Sequence, residues 1–142
     1  MPCPCARAKG RLVLPSCYAR PYRPDVSDEP RYYQAVSAVM DALANGRTPD
    51  RAALRDAVRT SLSMLAAKVP GRSVEVRVPP YGAVQCVSGP RHTRGTPPNV
   101  VEMDPATWLE LATGRTSWAE AVAAGRVRAS GVRADLSAFL PL

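Results

Sequence analysis

Apolar residues begin to recur at helical spacing from Arg31 onward. Val36, Val39, Met40 and Leu43 fall at i, i+3, i+4 and i+7, the stripe of a helix that Gly46 closes. Thr48-Pro49-Asp50 predicts a second helix start, with Thr48 as cap, Pro49 in the first turn and Asp50 at the positive end of the dipole. That helix carries Leu54, Val58, Leu62, Leu65 and Val69 on one face and Arg51, Arg55 and Arg59 on another, and Pro70-Gly71 ends it.

The period then changes from that of a helix to that of a strand. Val74, Val76 and Val78 alternate with Glu75 and Arg77, which predicts a half-buried strand that Pro79-Pro80 breaks. Tyr81 to Ser88 predicts a second strand, residues 89–98 a loop, and Asn99 to Met103 a third strand. Asp104-Pro105 repeats the cap-then-proline signature before a helix through Trp108, Leu109, Leu111 and Ala112 that stops at Gly114. Ser117 caps a short helix through Trp118, Ala121 and Val122, ending at Gly125. Val127 and Ala129 mark a last strand closed by Gly131, and Leu136, Phe139 and Leu140 predict a terminal helix. Helices and strands grouped in this order give an α+β layer, with helices on one face of the sheet.

Residues 1–30 carry no such period. Pro2, Pro4, Pro15, Pro21, Pro24 and Pro30 forbid a long helix, so the segment is expected to be disordered or extended, or to lie upstream of the true translation start. Residues 31–142 form the expected domain, and the 142-residue chain suits a single core. No apolar run is long enough to span a bilayer. Leu12-Val13-Leu14 before Pro15 is too short for a secretory signal, so a cytoplasmic location is expected.

The net charge of +7 is unevenly placed. Residues 1–23 hold Arg7, Lys9, Arg11, Arg20 and Arg23 without an acid, which is +5; the remainder has 14 bases and 12 acids, which is +2. A phosphate-binding surface needs its bases displayed together on a folded face, so no nucleic-acid partner is expected. The 17 Arg against 2 Lys, with 22 Ala, point to a coding bias that accounts for the high pI equally well.

Few residues offer chemistry. Cys3 and Cys5 have a single residue between them, closer than paired zinc ligands, so Cys3, Cys5 and Cys17 read as incidental thiols and no metal or other cofactor is expected. His92 is the sole histidine, six residues from Cys86. A nucleophilic pair there is conceivable, but a cysteine between Val84 and Val87 usually behaves as a small buried hydrophobe. No catalytic residue is assigned. The loop Arg91-His92-Thr93-Arg94-Gly95-Thr96 either holds an anionic head group or is simply a solvated hairpin loop. Trp108, Leu111, Trp118, Val122 and Phe139 are either ordinary core or the lining of an apolar pocket.

Gly114, Ala121, Gly125 and Gly131 stand in a Gly-x6-Ala-x3-Gly-x5-Gly array, preceded by Asp104-Pro105-Ala106-Thr107-Trp108-Leu109. This array resembles the signature of the sterol carrier protein type 2 superfamily. Residues 70–142, with VEVRVPPYGAVQC and GPRHTRGTPPNVVEMD, are similar to its short actinobacterial branch, the bacterial sterol carrier protein orthologues. The resemblance implies a twisted, mostly antiparallel sheet of about four or five strands covered on one face by helices. It also implies non-enzymatic carriage of a lipid, fatty acid or acyl thioester in a cavity between sheet and helices. The ligand would lie against Val84, Trp108, Leu111, Trp118, Val122 and Phe139, with Arg91, His92 and Arg94 near an anionic head group. Similar domains end mycothiol-dependent isomerase-like enzymes, so an accessory role beside a separate metal-binding helical partner is the alternative. The ending Phe139-Leu140-Pro141-Leu142 is not a peroxisomal signal. The oligomeric state is left open.

Overall fold

The computed structural model describes residues 29–90 and 98–142. The expectations for residues 1–28, for Cys3, Cys5 and Cys17, and for Arg91, His92 and Arg94 lie outside the described residues. Four helices and four strands follow in the order α1 (Glu29–Ala44), α2 (Arg51–Lys68), β1 (Val74–Val78), β2 (Gly82–Cys86), β3 (Val100–Met103), α3 (Pro105–Ala112), α4 (Trp118–Ala123) and β4 (Val127–Ser130). None of the described helices is long and apolar enough to cross a membrane.

The open sheet has the order β2-β1-β3-β4. The outer pairs β1–β2 and β3–β4 are antiparallel and the central pair β1–β3 is parallel, so the sheet is mixed and mostly antiparallel. Val76 pairs with Val84 on one side and Val101 on the other, which puts these valines on one face together with Val74, Val78 and Cys86. That face packs into the core with Val58, Leu62 and Leu65 of α2, Val36, Val39 and Met40 of α1, and Trp108, Leu109 and Leu111 of α3. The opposite face carries Glu75, Arg77, Gln85, Glu102 and Arg128. Its charges are matched in place: Arg77 pairs with Glu75, and Arg128 lies 3.9 Å from Glu102.

Local chemistry explains most boundaries. Asp104 accepts from the Thr107 amide and caps α3, with Pro105 in the first turn. Ser117 and Glu120 form a reciprocal capping box on α4. Gly114 and Gly125, at φ +75° and +69°, turn the chain out of α3 and α4 in the left-handed conformation that glycine adopts freely.

Three details depart from the sequence pattern. The cap of α2 is Asp50, whose carboxylate accepts from the Ala53 amide at 2.9 Å, so Thr48 and Pro49 precede the helix. The second strand covers Gly82–Cys86 and not Tyr81–Ser88, because Tyr81 closes the β1–β2 turn through its amide to Val78 O and Val87 stands at φ +63°. No terminal helix forms: Asp135 takes the Ser137 amide in a local turn, one turn closes on Leu136 O, and the chain then leaves so that the Leu142 amide donates to Ala112 O.

Candidate functional site

A groove of about 600 Å³ opens where α1 and α2 meet the edge strand β2. Its apolar floor is built from Tyr32 and Ala35 of α1, Leu62 of α2 and Val84 of β2, and its rim carries Arg31, Asp56 and Arg59. Helical phase positions these groups. Tyr32 precedes Val36 and Val39 by four and seven residues on the buried stripe of α1, whereas Arg59 lies on the exposed side of α2. At the start of β2, Gly82 lines the groove opposite Leu62, whose Cδ1 would meet a Cβ there at an ordinary contact distance of 3.6 Å.

Hydrogen bonds fix the walls. Arg59 Nε donates to Tyr81 O at 3.1 Å, joining α2 to the β1–β2 turn. Behind the groove, Trp108 Nε1 donates to Ser61 Oγ at 2.7 Å, and that hydroxyl donates on to Ala57 O at 2.7 Å. The bond ties α3 to α2 and satisfies two polar groups that are wholly buried. Tyr32 is buried, and its hydroxyl is pushed above the ordinary phenol range by that burial and, secondarily, by the neighbouring Tyr33. At neutral pH the groove therefore presents a neutral aromatic floor below guanidinium groups.

The residues named from the sequence fall at several depths. Val84 lines the groove. Trp108 and Leu111 are closed off in the core, at 0% and 1% exposure. Trp118 and Phe139 pack against the core from outside, and Val122 is exposed. The structure thus brings Trp108 and Leu111 together beneath α2, but Val122 stands on the surface of α4. Arg91, His92 and Arg94 lie outside the described residues. Tyr32, Ala35, Leu62 and Arg59 were missed as site residues, although Tyr32 continues the α1 stripe one turn toward the amino terminus and so carried a readable signal.

Cys86 is fully buried, and burial pushes its thiol up to about 11, so it is no thiolate nucleophile at neutral pH. Among the described residues no group of three His, Cys, Asp or Glu side chains could hold a metal ion.

The signature glycines make structural sense. Gly131 turns at φ +104°, and a Cβ there would collide with Pro98 O and Asn99 Oδ1. Asn99 itself is buried, donating to Ser73 O at 2.8 Å and accepting from the Arg133 amide at 3.0 Å. Ala121 is buried, as a residue of the array that brings α4 close to its support must be. Comparison with curated proteins returns no match. Residues 50–142, from the cap of α2 to the last residue, match the family described as bacterial SCP ortholog, and the chain belongs to that sterol carrier protein-like family.

Proposed function

We propose that the protein holds one apolar molecule, a lipid, fatty acid or acyl thioester, in the groove between α1, α2 and β2, and carries it without altering it. The observation that bears most weight is the groove itself, about 600 Å³ with an apolar floor and a guanidinium rim. Sites for small apolar ligands typically enclose roughly 300–1,000 Å³ with a few polar groups to fix orientation. Membership of a sterol carrier protein-like family supports the same reading. In this arrangement the alkyl chain lies over Tyr32, Ala35, Leu62 and Val84, and Arg31 and Arg59 face the polar end. Arg91, His92 and Arg94 follow β2 in the chain and are proposed as further contacts to that end.

Titration of the purified chain with cis-parinaric acid tests the reading. Ala35 is half-buried on α1 and lines the groove at the edge of the core, so Ala35→Trp fills the groove. Probe affinity is expected to fall by about tenfold or more, a loss of roughly 1.4 kcal/mol. Circular dichroism of the variant verifies that it folds, and the melting temperature is expected to change by no more than about 4 °C, as for a half-buried position at the edge of the core. Equal affinity in both proteins, or no binding by the natural chain, overturns the proposal.

A further inference from the structure

We infer that the Tyr32 hydroxyl is the hydrogen-bond donor that seats an acyl oxygen of the cargo, so that the groove selects carboxylates and carboxylic esters or thioesters over plain hydrocarbons. The inference deepens the apolar-cargo reading above and rests on it. Tyr32 is 6% exposed and lines the groove. A buried phenol usually finds a partner for its O–H. The other buried polar side chains follow that rule: Ser61 donates to Ala57 O, Ser73 to Val87 O, Asn99 to Ser73 O, Thr107 to Asp104 and Trp108 to Ser61. Among the described residues Tyr32 makes no such bond, and no sealed side-chain nitrogen or oxygen is left without a partner. Its hydroxyl therefore opens on the groove, an unused donor in an otherwise apolar floor.

The setting decides which ligand group can use it. Side chains on a helix lean toward its amino terminus, which carries the Tyr32 ring toward the end of α1 where Arg31 stands. A guanidinium has donors and no acceptor. Burial, and after it the neighbouring Tyr33, keeps the phenol protonated well past neutral pH. Two adjacent donors of this kind suit an oxygen that only accepts, as a carboxylate or a carbonyl does. Asp56, the carboxylate at the rim, is on α2 and pairs with Arg55 at 3.0 Å. Packing alone does not call for the hydroxyl, because phenylalanine would give the same buried ring and the same 5.3 Å approach to Tyr33. A hydrocarbon laid over Tyr32 strips water from the hydroxyl and leaves it unpaired, whereas an acyl oxygen replaces the lost bond. Tyr32 also precedes residues 50–142, so the family match does not assign it.

The test is fluorescence titration of the full chain with cis-parinaric acid, its methyl ester and diphenylhexatriene, a hydrocarbon without oxygen. A hydrogen bond between neutral groups is worth about fivefold in affinity, and one to a charged group more than about tenfold. Tyr32→Phe is therefore expected to weaken the ester about fivefold and the acid about tenfold or more, and diphenylhexatriene by less than about twofold. Tyr33→Phe removes the neighbouring phenol, which is 57% exposed, and is expected to change each affinity by less than about twofold. Circular dichroism of both variants verifies that they fold. Losses of the same size for the hydrocarbon and the acyl probes, acyl binding untouched by Tyr32→Phe, or equal effects of the two variants overturns the inference and leaves the cargo reading standing. No binding of any probe by the natural chain overturns both.

Discussion

Cys86 shows how burial of a single atom sets a stability limit. Its thiol ordinarily titrates at 9.0 and is pushed up to about 11 by burial in β2. An unfolded chain releases the proton near 9 while the folded chain keeps it until near 11. Stability is thus complete below pH 9 and declines as pH rises through that window. Titration at about 11 in place of 9.0 bounds the effect at about 3 kcal/mol. Urea midpoints between pH 8 and 11 are expected to fall more steeply in the natural protein than in Cys86→Ala; parallel slopes would refute this. Tyr32, also raised, contributes equally to both proteins and drops out of the difference. Residues of this kind were partly legible in the chain. Val84 and Val87 announced Cys86 as a small buried hydrophobe, but nothing local announces that Ser61, a hydroxyl on the apolar side of α2, waits for Trp108 Nε1 from 47 residues away. Such a partner is fixed only when two helices meet.

At the level of elements, short helices depend most on their ends. The six residues of α4 are started by the Ser117–Glu120 box, in which Glu120 accepts from the Ser117 amide at 2.9 Å. Those hydrogen bonds, first from the Ser117 backbone and then from its hydroxyl, hold the Glu120 carboxyl below its ordinary range. Its contribution is present above that range and is lost as pH falls through the lowered value. Removing the cap with Ser117→Ala is expected to cost about 1 kcal/mol. Thermal unfolding then shifts down by about 3–6 °C, and a smaller difference at pH 3 than at pH 7 checks the carboxylate's part. Caps and positive-φ glycines carry their meaning in neighbouring residues, so α3, α4 and their stops were readable. Leu136, Phe139 and Leu140 misled because i, i+3, i+4 describes one turn as well as a helix, and the bond from Leu142 to Ala112 O, which draws the tail onto α3, is long-range. The groove lay equally out of sight: it exists only where α1, α2 and β2 come together, far in sequence from the glycine array that suggested a family.

On the scale of the whole molecule, the parallel pairing of β1 with β3 has a consequence for synthesis. The β1–β2 hairpin leaves the second edge of β1 open, and its partner Val100–Met103 comes later in the chain. Until those four residues leave the ribosome, Val74, Val76 and Val78 have one neighbour in place of two, and α2 has no Trp108 to pack on. Nascent chains arrested with residue 98 just outside the exit tunnel are expected to be cut readily by protease, and chains released to residue 142 to resist it. Protection already complete at the shorter length would mean that the amino-terminal half folds alone. The second edge of β1 is thus expected to close only once β3 has been made, which leaves its valines half-paired in the interval.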